Sequence, residues 1–439
     1  MSIRSNRRLP KPPREDSILL GWGSPSRKSV GFRGGDYRNG ATNRPIWSDA
    51  HHLTTIAPTG AGKGMSCAIP TLLTYPGTMI VLDVKGELYE TTCRRRREMG
   101  QQAIKLDPFR YLGEFTDQLN PLDSLYLPNA DLELECQTLA ALLAMGRGFS
   151  KDPFWELSAN GLNSGCLGAI ATTEEPENRT ICRLTHMLYN DDVVYSLAVL
   201  LDTVGKKIPP MAYQEIGAFL QLSERDTRPS VLATAQSFLK GINSARVLES
   251  LGPTSFSLTD FIAGKPMTIY LVIPPDRLAS HANLLVLWIG TLLKAIFTRT
   301  AIPGKKTLFL IDECASLGSF PFLEIAITLC RSYGVRIWSF WQDLQQLKSN
   351  YPTGWQTILN NSSIQCFGIS SRLMAEELSE VVDISPRDFR RTSNGGQMIQ
   401  HHTGEVEKAK TLNYLKDECF RGLFDENRYY SGVNDSHSI

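Results

Sequence analysis

A glycine-rich segment at residues 57–64 constrains this chain most, because its backbone suits the phosphate groups of a nucleotide. It reads Ala-Pro-Thr-Gly-Ala-Gly-Lys-Gly and lies between two apolar runs typical of strands. Small residues let successive backbone N–H groups turn onto phosphate, and the following helix adds the positive end of its dipole. The pattern predicts a phosphate-binding loop of an NTPase, with contacts from Pro58, Thr59, Gly60, Ala61, Gly62, Lys63, Gly64 and Met65.

Two positions depart from the usual phosphate-loop pattern. The usual loop opens with Gly, where this chain has Ala57, and it ends in Lys followed by Ser or Thr, where this chain has Gly64. A hydroxyl at the last position ordinarily holds Mg²⁺, so this sequence leaves one metal ligand open. Ser66 and a water molecule are the two alternatives for that ligand.

The composition is that of an ordinary globular protein without a strong overall charge. The 439 residues suffice for roughly two or three domains. Because the formal net charge is +1, any contact with a polyanion must be local. Nine scattered cysteines without a CxxC pair indicate reduced thiols and no structural zinc. Neither a membrane-spanning stretch nor a secretory signal is found, which favours a cytoplasmic location.

The pattern along the chain predicts an α/β domain that is interrupted by a helical one. Residues 1–45 are rich in Arg, Pro and Gly, which predicts an extended N-terminal arm. Residues 46–130 and 252–430 alternate strand-like and helix-like segments, as in a parallel sheet covered on both faces. Residues 131–251 have helical spacing, which predicts an inserted all-α domain. Residues 431–439 are expected to be a flexible tail.

The individual segments of the α/β domain follow from short apolar runs and amphipathic spacing. Helices are predicted at residues 63–73, 87–99 and 281–300. Strands are predicted at residues 53–57, 78–83, 103–106, 267–273, 308–313, 335–341 and 361–369.

Two acidic residues end the apolar run at residues 308–311. A doubly wound sheet places such residues at the carboxyl ends of its strands, where phosphates bind. Asp312 is therefore predicted to hold Mg²⁺ through water, and Glu313 to orient and deprotonate the attacking water. A solvated strand end is the alternative interpretation, which the upstream phosphate loop disfavours.

Two further polar residues flank the predicted strand at residues 335–341. Gln342 follows it and is expected beside the acidic pair, where its amide either senses a γ-phosphate or caps a loop. Arg331 precedes the strand, opposite the phosphate edge, so it can act as an arginine finger only in a neighbouring subunit. An exposed structural arginine is the alternative, and Arg336 competes for the finger role.

The segment after the second predicted strand also carries charge. Asp83 is expected at the same edge of the sheet, where it supports either Mg²⁺ or a loop contact. Lys85 and Glu87 are interpreted as residues that solvate the start of a helix. Four consecutive arginines at residues 94–97 spread around that helix, so the run is either a solvated face or a phosphate contact.

Together these segments resemble the coupling proteins of type IV secretion and conjugation, the TraG-like family, over roughly residues 50–430. The most specific signal is Gly64 after the loop lysine combined with Asp-Val-Lys-Gly-Glu at residues 83–87. Other phosphate-loop ATPases seldom show that combination. Further blocks in the order of the family lie at residues 120–122, 154–156, 230–235, 310–318 and 342–347.

The resemblance implies a RecA-like P-loop NTPase domain with an inserted all-α domain, assembled as a hexameric ring that uses ATP and Mg²⁺. Such a ring recruits a DNA–relaxase complex or an effector protein and passes it to the ATPases and channel of the secretion apparatus. By motif position, Lys63 binds the β- and γ-phosphates, Asp312 holds Mg²⁺ and Glu313 is the catalytic base. Gln342 matches the residue that reads the γ-phosphate, and Arg331 fits the arginine that acts in trans.

Two features depart from the family. Most members begin with membrane-spanning helices and this chain shows none, so we expect a peripheral position at the inner membrane or a separate membrane-anchoring subunit. Residues 383–411 are polar and contain Gly and His, and this segment is expected to be disordered.

Three functions stay open from the sequence. The first is an ATP-driven translocase for DNA or a nucleoprotein, which contacts single- or double-stranded DNA through its backbone without sequence specificity. The second is a substrate adaptor in which ATP only assembles the ring. The third is a degenerate paralogue that binds nucleotide without turnover, because Gly64 lacks a hydroxyl.

Overall fold

A computed structural model describes residues 9–23, 44–145 and 152–430 of the chain. The predicted tail at residues 431–439 and most of the predicted arm lie outside these residues. The described strands are β1 (Ile18–Gly23), β2 (Arg44–Ser48), β3 (His52–Ile56), β4 (Met79–Asp83), β5 (Gln102–Leu106), β6 (Met267–Val272), β7 (Thr307–Ile311), β8 (Val335–Trp341), β9 (Ser362–Phe367), β10 (Gly396–Gln400) and β11 (Val406–Thr411).

Within the described residues these eleven strands form one sheet, in the order β2-β1-β11-β10-β9-β3-β8-β7-β4-β6-β5. The seven strands from β9 to β5 pair in parallel, and the strands from β2 to β10 are antiparallel. Every residue of β3, β4, β6, β7 and β8 is buried, as expected of a sheet covered on both faces. Because parallel strands share one direction, their carboxyl ends meet at one edge.

The helices cover this sheet and build a separate helical layer. A π-helical turn (Gly64–Ala68) leads into α1 (Ile69–Thr74), and α12 (Ala282–Phe297) is apolar on nearly all sides. The helices of the α/β part are α1 (Ile69–Thr74), α2 (Glu87–Glu98), α11 (Pro275–Leu278), α12 (Ala282–Phe297), α13 (Pro321–Leu329), α14 (Leu344–Asn350), α15 (Trp355–Asn360), α16 (Arg372–Ser379) and α17 (Pro386–Arg390). The intervening helices are α3 (Leu132–Ala144), α4 (Pro153–Thr173), α5 (Ile181–Leu188), α6 (Val193–Val204), α7 (Pro210–Gln221), α8 (Thr227–Leu239), α9 (Ala245–Ser250) and α10 (Leu258–Ile262).

Helix α4 is the centre of the helical part, because it packs against α3, α7 and α8. Its glycines allow a close approach to α7: a Cβ at Gly168 would lie 2.9 Å from the Cβ of Ala212. The apolar core is continuous between the two parts. Leu142 on α3 contacts α12, where a Cβ at Gly290 would lie 2.6 Å from its side chain. The helical part therefore packs against the α/β part through α12.

The structure corrects the interpretation of two segments that the sequence left without regular structure. Residues 1–45 are not an extended arm throughout, because residues 18–23 form the buried strand β1 of the sheet. Residues 383–411 are not disordered, because they include α17, β10 and β11. The prediction of disorder was wrong because polar residues in this segment are buried and hydrogen-bonded. Gln397 is buried in β10, where its amide donates to the carbonyl oxygens of Leu20 (2.8 Å) and Lys410 (2.9 Å).

The arginine run at residues 94–97 contains a buried structural residue. Arg96 is fully buried, and burial lowers its pKa to about 10. Its guanidinium donates to Leu72 O (3.1 Å), Gly77 O (3.0 Å) and Thr268 Oγ1 (2.7 Å). These bonds join α2 to the end of α1, to the turn before β4 and to β6. At Arg96 the run is therefore neither a solvated face nor a phosphate contact.

We predict that Arg96→Lys lowers the free energy of unfolding by about 3 kcal/mol, because an ammonium group cannot reach all these acceptors and leaves buried carbonyls unpaired. Urea unfolding followed by circular dichroism measures the effect. The matched control is Arg97→Lys on the exposed side of the same helix, which should change stability by less than about 0.5 kcal/mol. Equal effects of the two substitutions would contradict the structural role of Arg96.

Candidate nucleotide and metal site

The phosphate loop follows β3 at the carboxyl edge of the sheet. Ala57 N–H donates to Trp341 O (3.0 Å) at the end of β8, which fixes where the loop leaves the sheet. Gly60 and Gly62 adopt positive φ angles of 80° and 91°, which a side chain would disfavour. Lys63 Nζ donates to Ala57 O (2.8 Å), so the lysine folds back over the loop. The segment thus has the turn geometry that the sequence predicts for a phosphate cradle.

Acidic and amide side chains lie at the ends of the strands that adjoin β3. Gln342 follows β8, and its Nε2 lies 3.4 and 3.3 Å from the two carboxylate oxygens of Glu313, which follows β7. The predicted closeness of Gln342 to the acidic pair is therefore confirmed. Burial lowers the pKa of Lys63, and the negative charges of Asp312 and Glu313 oppose that shift. The acidic pair therefore attracts the positive charge of the loop lysine electrostatically.

The site concentrates buried negative charge. Burial raises the pKa of Asp312 to about 6 and that of Asp83, at the end of β4, to about 7. Glu87 and Glu313 raise the pKa of Asp312 further, whereas Lys63 lowers it. Among the described residues, Oδ1 of Asp83 and Oδ1 of Asp312 are buried without a hydrogen-bond donor. Unpaired buried carboxylate oxygens of this kind suit a cation.

The donor set fits Mg²⁺ bound together with a nucleotide. In the described part of the chain, no group of three His, Cys, Asp or Glu side chains could hold a metal ion by itself. Mg²⁺ at a nucleotide site needs only one or two carboxylates, because phosphate oxygens and water complete its octahedral shell. Asp312 lies at the predicted edge for this role, and Ser66 lies in the turn after the loop, where it is 6% exposed.

The two arginines considered as fingers have different surroundings. Arg331 is exposed in the turn Cys330–Tyr333 before β8, at the edge of the sheet opposite the phosphate loop. Arg336 is fully buried in β8 and its Nη1 donates to Asp16 O (2.7 Å), so it cannot reach a neighbouring subunit. The interpretation of Arg336 as a competing finger is therefore wrong, and the geometry separates Arg331 from its own phosphate loop.

Sequence reasoning missed two residues that contact the loop. Glu87 does not solvate the start of α2: it is only 8% exposed, and its Oε1 lies 3.1 Å from the position of a Cβ at Gly64. Gly368, after β9, has a φ of 71°, and a Cβ there would lie 2.6 Å from the Cβ of Ala61. The motif at residues 83–87 contained the signal for Glu87, but no local pattern marks Gly368.

Comparison with known proteins identifies the family. The family described as type IV secretory system conjugative DNA transfer matches residues 13–422. The chain belongs to this family. It is 31% identical over 349 residues to the protein VirD4 of Rhizobium rhizogenes, covering 75% of this chain and 49% of VirD4. It is 31% identical over 414 residues to VirD4 of Agrobacterium fabrum, covering 88% of this chain and 58% of that protein. The chain thus spans about half the length of these relatives.

A solved structure of the plasmid coupling protein TrwB, in complex with ADP and Mg²⁺, has the same fold as this member of the family. The TM-score is 0.65 at 17% sequence identity, over 95% of this chain and all of that chain. The predicted RecA-like P-loop NTPase domain with an all-α domain is therefore confirmed, as is the resemblance to the coupling-protein family. Among the described helices, none combines the length and the apolar character needed to cross a membrane.

We predict that Gly368→Ala weakens nucleotide binding by at least about tenfold, because the added methyl group displaces Ala61 and costs about 1–3 kcal/mol in overpacking. Gly395→Ala is the matched control: its φ of 72° is nearly the same, but no heavy atom lies within 4 Å of the added Cβ. Titration with a fluorescent ATP analogue should show weaker binding only for Gly368→Ala. Equal affinities for both variants would contradict the contact.

Proposed function

We propose that this protein is an ATP-hydrolysing coupling protein, which recruits DNA–relaxase or protein substrates to a type IV secretion or conjugation apparatus and helps drive their translocation. The observation that carries the proposal is the position of Glu313 and Gln342 at the edge of the sheet that bears the phosphate loop. A carboxylate beside an amide at this edge can orient and deprotonate a water that attacks a γ-phosphate. Membership of the coupling-protein family supports the same function.

Within this proposal the predicted site residues have separate roles. Residues 58–65 surround the phosphates of ATP, and Lys63 binds the β- and γ-phosphates. Glu313 takes the proton of the attacking water, and Gln342 holds Glu313 in place and reads the γ-phosphate. Asp312 binds Mg²⁺ from the sheet, and Ser66 is the predicted second ligand. The TrwB complex contains Mg²⁺ together with ADP. Held by these residues, Mg²⁺ would offset the charge that develops on the transferred phosphoryl group.

The proposed assembly is a homo-hexameric ring in which Arg331 acts on the nucleotide of a neighbouring subunit. The exposure of Arg331, and its place opposite the phosphate loop of its own chain, support a role in trans. Proposed partners are the substrates, the ATPases of the secretion channel and DNA bound through its backbone without sequence specificity. The proposed location is the cytoplasm, at the inner membrane when a membrane-anchoring subunit recruits the ring.

We predict that DNA-stimulated ATP hydrolysis falls at least about a hundredfold in Glu313→Gln, because the catalytic base is lost, and to background in Lys63→Ala. Steady-state phosphate release with and without DNA measures both effects. Glu98→Gln and Lys265→Ala, at exposed ion pairs away from the site, should retain the wild-type rate.

If neither Glu313→Gln nor Lys63→Ala changed the rate of ATP hydrolysis, an ATPase motor at this loop would be contradicted. Wild-type protein that binds ATP tightly without hydrolysing it would favour the adaptor, in which the helical domain captures the substrate and ATP only assembles the ring. It would equally favour a degenerate paralogue, and ring formation that depends on ATP would then distinguish the adaptor.

We predict that Arg331→Ala and Glu313→Gln complement each other in mixed rings. Each variant alone should be inactive, because one lacks the finger and the other lacks the base. An equimolar mixture should recover about one quarter of the wild-type hydrolysis rate, since that fraction of subunit interfaces combines an intact Arg331 with an intact Glu313. A mixture that stays at background, although size-exclusion chromatography shows mixed rings, would contradict the role of Arg331 in trans.

A further inference from the structure

We propose that Glu87 supplies the metal ligand that the hydroxyl after the loop lysine supplies in the usual phosphate loop. This inference rests on the proposed nucleotide site and adds a residue to its metal shell. It assigns the open ligand to a carboxylate from the first turn of α2, in preference to Ser66.

The carboxylate of Glu87 faces the place where the usual hydroxyl would stand. Its Oε1 lies 3.1 Å from the Cβ position at Gly64, the residue that replaces Ser or Thr after the loop lysine. A serine at residue 64 would direct its side chain into the space beside this oxygen, and the two groups would compete for it. Glycine leaves the space to the carboxylate. The absence of a side chain at residue 64 therefore makes room for the carboxylate of Glu87.

A hydrogen bond to one carboxylate oxygen holds Glu87 in this orientation. Its Oε2 accepts a hydrogen bond from Asn427 Nδ2 (3.2 Å), and Asn427 is 5% exposed. The same Nδ2 lies 3.2 Å from the hydroxyl of Tyr414. Gly86 has a φ of 72° at the start of α2, and Asp83 Oδ2 accepts the N–H of Tyr89 (2.8 Å). One oxygen of Glu87 is thus anchored by the C-terminal segment, and the other points at the loop.

The burial of Glu87 and of the neighbouring carboxylates favours a bound cation. Glu87 is 8% exposed and Asp83 is 1% exposed, and the described residues offer no donor to Oδ1 of Asp83 or Oδ1 of Asp312. Buried carboxylates are costly unless a positive charge or a metal ion compensates them. Lys63 supplies one positive charge, but its Nζ is bonded to Ala57 O. A divalent cation between the loop and these carboxylates would balance the charge.

The chemistry of the donors favours Mg²⁺. It is a hard cation that takes oxygen ligands and, at nucleotide sites, one or two carboxylates together with phosphate oxygens and water. Glu87 on the helix side and Asp312 on the sheet side are two such carboxylates, contributed by different elements. With Glu87 as a ligand, the loop needs no hydroxyl of its own.

The test measures the metal directly, with Mn²⁺ as a paramagnetic probe in the complex of the full chain with ADP. Glu87→Gln keeps the size of the side chain and an acceptor for Asn427 but removes the charge. We expect it to weaken Mn²⁺ binding in the ADP complex by at least about tenfold, as measured by electron paramagnetic resonance titration. The affinity for ADP without metal should stay within about twofold of wild type, because the loop contacts are retained.

Two controls separate the metal role from a structural one. Glu90→Gln changes a half-exposed carboxylate on the same helix that pairs with Arg428 (3.2 Å), and it should leave Mn²⁺ binding unchanged. The double variant Gly64→Ser/Glu87→Ala places a hydroxyl in the space that the Glu87 carboxylate occupied. It should bind Mn²⁺ more tightly than Glu87→Ala alone, and thermal unfolding would verify that both variants fold.

The outcomes are distinguishable. Unchanged Mn²⁺ affinity in Glu87→Gln, together with a loss in Ser66→Ala, would overturn the assignment of Glu87 and leave the proposed function intact. A double variant that binds Mn²⁺ no better than Glu87→Ala would also count against it. Wild-type protein that binds ADP neither with nor without Mn²⁺ would overturn the nucleotide site itself.

Discussion

The parallel pairing of four neighbouring strands is the constraint on which the candidate site depends. Strands β3, β8, β7 and β4 pair in parallel, so their carboxyl ends emerge at the same edge of the sheet. The phosphate loop leaves β3, Gln342 leaves β8, Glu313 follows β7 and Asp83 ends β4. Residues more than two hundred positions apart in the chain thus share one surface. A different strand order would leave every sequence motif intact, but it would move the phosphate loop away from the acidic and amide side chains.

Electrostatics at this edge follow from the same arrangement. A buried sheet brings its strand ends into a region that water only partly solvates, so the carboxylates of Asp83 and Asp312 resist ionisation and their pKa values rise. For Lys63 the effects have the opposite signs: burial lowers its pKa, and the negative charges of the acidic pair raise it. The site therefore holds an excess of negative groups beside a phosphate cradle. A bound divalent cation would relieve the repulsion within the protein and towards the phosphates.

Much of the fold and part of the site could be predicted from the sequence, because both depend on local patterns. Apolar runs of four to six residues marked the parallel strands, and an acidic pair after such a run marked the edge where Asp312 lies. The errors arose where burial contradicted residue type. Gln397 is polar yet buried in β10, and Arg96 is charged yet fully buried, since carbonyl oxygens and side-chain acceptors satisfy both groups. Sequence patterns do not show which distant carbonyl will accept a hydrogen bond.

By itself, the sequence determined that this chain carries a phosphate loop without the usual hydroxyl, and its motif order determined the family. These properties depend on residue type and spacing, which the chain displays directly. Only the tertiary structure decided that Gln342 contacts Glu313, that Arg336 is buried while Arg331 is exposed, and that Glu87 faces Gly64. These relations depend on strand order and helix packing, which bring together side chains from separate elements. The physical reason is that contacts across a sheet edge are set by the whole fold and leave no local trace in the sequence.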